Sequence, residues 1–182
     1  MARDHADLSF APAPACGRVR FMSALSFCVV FVIAALCITM AARDMDRQPA
    51  WATGIAMTLA PGLGLLIVTL IWLGARVRAF RLVGAELIVD RRFHKPRFVL
   101  AGLESIELDR AAMEGARKQI GNDGLGAIAG RFRSRKLGPF RVYLTNPQNA
   151  VVLRWPGQTL VVSPDRSYAF IEAVRERAGL KS

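Results

Sequence analysis

The stretch FRVYLTNPQNAVVLRWPGQTLVV, residues 140–162, contains three short apolar runs divided by turn residues. Residues 140–145, 150–155 and 159–162 are rich in the β-branched and aromatic side chains that pack on a pleated surface. Asn146-Pro147 and Pro156-Gly157 mark the turns between them. The close spacing predicts three strands in a tight antiparallel meander.

Upstream, Glu86–Arg91, 97–100 and 103–108 read as further strands, with His94-Lys95-Pro96 turning the chain between the first two. Residues 109–129 read as a long irregular stretch. Downstream the period changes to that of a helix. Ser163 suits its cap, Pro164 its first position, and Asp165 the positive end of its dipole. Phe170, Ile171, Val174 and Ala178 share one face, Arg175 and Arg177 lie near the negative pole, and Gly179 stops the helix. The expected fold is an all-β barrel or sandwich capped by one C-terminal α-helix.

The N-terminal third is different. No charge occurs from Phe21 to Ala42, a helix length of about 33 Å, enough for the hydrocarbon core of a bilayer. A second uncharged run ends at Ala75, with Trp51 and Trp72 about 32 Å apart as anchors for the two interfaces. Pro61, Gly62 and Gly64 predict a kink within it. A cleaved signal peptide fits less well, because the first run exceeds the usual h-region and its exit at Thr39 and Ala41 is weak. A buried hairpin of a soluble protein would show a polar face, and neither run has one. The chain therefore divides into a tail (1–20), a two-helix transmembrane hairpin (21–75) and a domain (76–182). Arg18 and Arg20 before the hairpin, and Arg76, Arg78 and Arg81 after it, outweigh the two arginines of the 43–49 loop. Both termini are thus expected in the cytoplasm, with 43–49 outside.

Charge follows the same division. Of the 182 residues 53% are hydrophobic and the net charge is +11, yet residues 1–75 supply only +1 of it. The domain carries the remaining +10. At roughly 105 residues it is large enough to bury one core, and residues from about Phe80 onward are expected to fold without the helices. The three cysteines, Cys16, Cys28 and Cys37, have no CxxC spacing and fit neither a zinc site nor a disulfide framework.

Several segments carry a resemblance. Ile120-Gly121-Asn122-Asp123-Gly124-Leu125, Gly130-Arg131-Phe132, Lys136-Leu137-Gly138 and Val142-Tyr143-Leu144-Thr145-Asn146 resemble the bacterial pleckstrin-homology-like (PH-like) domain families, particularly those with two N-terminal transmembrane helices. Val161-Val162-Ser163-Pro164-Asp165 before a helix is similar too. The resemblance spans about 76–178. It implies two orthogonal antiparallel sheets closed by a C-terminal helix and a binding or assembly role, and it does not imply a reaction; the expected location is a bacterial inner (plasma) membrane.

Catalytic chemistry is poorly supplied. The glycine-rich segment 121–130 ends in Arg131-Phe132, not the Gly-Lys-Ser/Thr of a phosphate loop, so its glycines suit tight turns and close backbone passage. His5 lies in the tail and His94 beside Lys95. Metal ligands do not cluster, and no cofactor or metal site is expected. Glu104, Glu107 and Asp109 fit a solvated strand edge, and Ser105 has no base nearby. Nucleic-acid binding is not expected, since no reading motif accompanies the charge.

The basic residues form the candidate site. Arg131, Arg133 and Arg135 alternate, so in a strand they share a face, with Lys136 adjacent. Arg91, Arg92, Lys95 and Arg97 bracket the first domain turn, which in lipid-binding PH domains often holds the phosphoinositide site. The expected function is a non-enzymatic, membrane-tethered module that engages anionic lipid headgroups or a membrane-protein partner. The alternative is a regulatory receptor for a small anionic ligand at the Gly/Arg-rich region.

Overall fold

The structure, a computed structural model, describes residues 7–43 and 50–180. His5 and residues 44–49 of the expected external loop lie outside the described residues.

Two helices lead. α1 (Gly17–Arg43) is 27 residues of nearly unbroken apolar side chains, with Phe31, Val32, Ile33 and Leu36 exposed. Among the described residues it is the one helix long and apolar enough to cross a membrane. α2 (Ala50–Ala75) contains Pro61, and its apolar stretch Pro61–Ala75 is short for a span. The expectation of two spans is thus carried by one helix. α2 packs antiparallel to α1. Phe27 meets Trp72 edge-on at 6.2 Å, and a Cβ on Gly64 would lie in ordinary contact with Val30, at 3.7 Å.

Two sheets follow. The first has the order β1-β2-β3-β4, from β1 (Leu8–Phe10), β2 (Val77–Val83), β3 (Glu86–Arg91) and β4 (Arg97–Val99). The second contains β5 (Ser105–Leu108), β6 (Arg117–Asp123), β7 (Ile128–Ser134), β8 (Gly138–Leu144), β9 (Val151–Trp155) and β10 (Gln158–Val162). Its order is β5-β9-β10-β8-β7-β6. α3 (Ser167–Ala178) closes the chain.

The expected meander is corrected here. β9 and β10 do form an antiparallel hairpin, with Gly157 at φ 73° in the turn. β8, however, pairs with β10, in parallel, and not with β9. A 3₁₀ turn (Pro147–Asn149) widens the β8–β9 connection, and β10 fills the gap. Leu160, Val161 and Val162 are all fully buried there, as suits a strand covered on both faces. The sheets are therefore not purely antiparallel. The irregular stretch expected at 109–129 contains β6 and the start of β7. Its glycines mask the strand, because Gly121 and Gly130 face each other across it at φ 127° and 144°.

The helix start also differs. α3 begins at Ser167 with no side-chain cap. Ser163 is buried, and its Oγ accepts from Thr145 N at 2.8 Å. Gly179 ends α3 in the left-handed conformation, and its N–H reaches the Arg175 and Glu176 carbonyls.

The middle of the second sheet, at β9, β10 and the end of β8, is buried on both sides. Tyr143, Val151, Leu153, Leu160 and Val162 face the first sheet, with Phe80, Leu82, Leu87 and Phe98, and with Phe170 and Val174 of α3. Val142, Leu144, Val152, Val161, Phe132 and Phe140 face the other way, toward Val19 of α1 and Ala112. The N-terminal tail is part of this packing. Phe10 lies edge-on to Phe170 at 5.3 Å, Ala13 N donates to Ser163 O, Asp165 N to Ala11 O, and Cys16 N to Thr145 O.

Candidate functional site

The glycine-rich turn Asp123–Ala127 sits where the helices meet the domain. Asn122 is folded onto it, donating to Leu125 O and Ala127 O and accepting from Leu125 N. Ser23 of α1 donates to Gly124 O and accepts from Gly126 N, and Arg18 pairs with Asp123 at 2.9 Å. On the other side a Cβ on Gly126 would meet Trp72 O of α2 at 2.8 Å. The turn thus wedges between both helix ends, and Gly126 (φ 79°) has no room for a side chain. The glycines serve close backbone passage.

The first basic cluster surrounds the foot of α2. Arg91 Nη2 donates to Gly74 O at 2.8 Å, a cation on the negative pole of the helix, and its guanidinium lies over the Tyr143 ring. Burial pushes its pKa below the ordinary value, and Tyr143 opposes that shift. Arg91 thus has a structural partner. Lys95 pairs with Asp90 at 3.4 Å and Arg97 with Glu86 at 3.7 Å. Arg92 has no ion pair among the described residues. The Phe93 ring is 62% exposed yet packs so close to Gly74 that a Cβ there would meet it at 2.8 Å. The cluster, expected at the first turn of the domain, lies at the second, because β2 precedes β3; there, between β3 and β4, an exposed aromatic ring flanked by cations sits beside the end of α2.

The second cluster lies on the second sheet. Arg131 and Arg133 project from β7 on the exposed side of an alternation whose other members, Phe132 and Ser134, are buried. Arg135 is exposed in the turn after β7, while Lys136 pairs with Asp109 at 2.6 Å. Two further arginines, not singled out by sequence pattern, join them. The register sets Arg141 of β8 opposite Arg131, and Arg117 of β6 opposite Arg133. Arg141 alternates with buried Phe140 and Val142, so its outward face is legible in the sequence, but its neighbour is not. Arg117 falls in the stretch that reads as irregular.

Arg117, Arg131, Arg133, Arg135 and Arg141 have no acidic partner among the described residues. Like charges directly opposite on neighbouring strands repel, so this face is held at a cost to stability. Beside it an open basin of about 1030 Å³ is lined by Arg117, Arg133, Arg135, Lys136 and Glu114, among others. A smaller groove of about 320 Å³ contains Arg131, Arg141 and Gln158. No group of metal-ligating residues occurs among the described residues. The arrangement can hold anionic groups by charge and hydrogen bonding.

A family model described as bacterial PH domain matches residues 79–178, just over half of the chain, from within β2 of the first sheet to the end of α3. No curated protein and no solved structure matches it.

Proposed function

The chain belongs to the bacterial PH domain family, and from that premise we propose that it is a non-catalytic, membrane-tethered binding module with its two basic clusters turned to different partners. Domains of this family are generally binding modules, and the match identifies no catalytic family. The observation that carries the proposal is the separation of the clusters. The Arg92–Phe93–Lys95 turn lies at the end of α2, where an exposed ring and cations suit anionic headgroups. The Arg131–Arg133–Arg135 face climbs away from the helix ends. Arg133 is five residues beyond Ile128, a strand distance of about 17 Å. That face suits an acidic protein partner.

Both helices are proposed to cross the membrane. β1 precedes α1 and pairs in register with β2, which follows α2, from Leu8 opposite Leu82 to Phe10 opposite Phe80. If α1 leaves this side of the bilayer, the chain must return before Val77. The basic flanks favour the cytoplasm for the shared side. A phosphatase fused after Ser182 is expected to be inactive, and one inserted at residue 46 active. Activity of the C-terminal fusion in the periplasm would refute the topology.

In-cell photocrosslinking tests the two partners. With the crosslinker at Arg133, acidic proteins are expected among the products, and Arg131→Ala with Arg135→Ala should reduce them at least about fivefold while leaving folding nearly unchanged, since exposed charges stabilise little. With the crosslinker at Phe93, lipid is expected. Lipid at both positions would overturn the assignment of the arginine face to a protein.

The receptor alternative, a small anionic ligand in the basin beside Arg117 and Arg133, predicts instead that crosslinks at Arg133 yield neither protein nor lipid.

A further inference from the structure

Sheet edges are places where another strand can add, and proteins usually shorten or cover them. Among the described residues the edges are β1, β4, β5 and β6. β1 and β4 have three residues each and β5 four. Trp155 Nε1 donates to Val99 O of β4 at 3.0 Å, and Arg175 Nη2 from α3 donates to Ile106 O of β5 at 3.3 Å. β6 is treated differently. It has seven residues, the first five all exposed, and it pairs with β7 alone, with a bulge at Gln119 between Lys118 and Ile120. Among the described residues, no backbone hydrogen bond outside that pairing reaches residues 117–121. Ile120, near its middle, is 70% exposed.

We infer that β6 is a docking edge for an extended, acidic segment of a partner protein, which joins the second sheet as a seventh strand. This deepens the partner-binding role proposed above and rests on it. On either side of the bulge the outer backbone groups of β6 supply hydrogen bonds without regard to side chains. Charge supplies the choice of partner. Arg117 and Lys118 lie on β6 itself, with Arg133 and Arg131 one strand behind. A second copy of this edge would place cations against cations, which disfavours self-pairing. An acidic strand reverses that sign and also relieves the repulsion between Arg117 and Arg133. The exposed Ile120 calls for an apolar side chain at the position facing it. The basin lined by Arg117, Arg133 and Arg135 opens at the start of β6, where it can receive further acidic groups beyond the paired residues. Glu114 on its rim sets a limit to the negative charge it accepts.

The test uses the full chain in nanodiscs of zwitterionic lipid. The probes are an alternating Glu–Val peptide of about eight residues, the same peptide N-methylated at alternate residues, and a Lys–Val peptide. The Glu–Val peptide is expected to bind, to slow amide exchange in residues 117–123, and to lose at least about tenfold in affinity on N-methylation, since methylation removes backbone donors. The Lys–Val peptide is expected not to bind. If the N-methylated peptide binds equally well and both lose affinity in the Arg131→Ala/Arg133→Ala variant, strand addition is wrong while the arginine face as an acidic-partner site stands. If no acidic peptide binds even at low salt, both fail. Slowed exchange in 117–123 on anionic nanodiscs without any peptide would assign the edge to lipid and overturn the inference.

Discussion

A fragment comprising residues 76–182 is expected to lack a cooperative unfolding transition, and joining residues 7–16 to it through a short Gly/Ser linker in place of the helices is expected to restore one. The reason lies in what the tail covers. Phe10 packs on Phe170, whose ring also meets Phe80, and both of those rings are fully buried. Exposing one such side chain costs about 1.5–3 kcal/mol. Without the tail the Thr145 and Ser163 carbonyls and the Asp165 N–H lose their backbone partners, and Thr145 Oγ1 loses the Ala13 carbonyl. These groups then face water, so each lost hydrogen bond costs its net contribution, about 0.5–1.5 kcal/mol. Together these losses are comparable with the stability of a whole domain, about 5–15 kcal/mol. A fragment starting at Phe80 would fare worse, since it also cuts β2 after its third residue. Urea unfolding followed by the fluorescence of Trp155 would measure the effect. If the fragment alone unfolds cooperatively at a midpoint close to that of the fused form, the tail is dispensable and the prediction fails.

The second large effect is expected at Gly130. Gly130 and Gly121 are opposite one another on β7 and β6, both at positive φ. A Cβ on Gly130 would overlap Ile120 O and lie 2.8 Å from Gly121 Cα. Nothing flexible is there to move, because both obstacles are backbone. Gly130→Ala therefore combines a strained backbone with a steric overlap, together about 4 kcal/mol. Gly84→Ala is the control. It has φ 53° but open space around it, so only the backbone strain applies, about 1 kcal/mol. Thermal unfolding of the full chain in detergent, wild type against both variants, would check the difference. Equal losses for the two variants would mean that β6 separates from β7 without cost.

Much of this architecture is legible in the order of the amino acids. The uncharged run 21–42 favours a long apolar helix, because nearly all of its side chains are apolar. The strands β3, β4, β5, β8, β9 and β10 are marked by β-branched residues between Gly, Pro and Asn, a local property of the chain. The alternation of Arg131 and Arg133 with Phe132 places those arginines on one outward face, since side chains of a strand alternate with period two. The motifs shared with PH-like domains locate the domain within a few residues of where the family model places it.

Strand neighbours are decided by packing over long distances. Nothing near Gly138–Leu144 says that its partner is Gln158–Val162 rather than Val151–Trp155, because that choice depends on which strand buries both faces. Leu8–Phe10 has too few residues to signal a strand, and only the edge of β2 and the ring of Phe170 give it a place. The fate of each cation is likewise tertiary. Arg91 becomes the partner of Gly74 O, and Lys136 reaches Asp109 across 27 positions, while Arg131 and Arg133 meet further arginines instead. Periodicity tells a side chain which face it occupies, but its Coulomb partners are set by groups that the fold carries in from elsewhere in the chain. The sequence by itself therefore determined an apolar anchor and a basic, strand-rich domain, and the tertiary structure alone decided which of its charges remain free to bind.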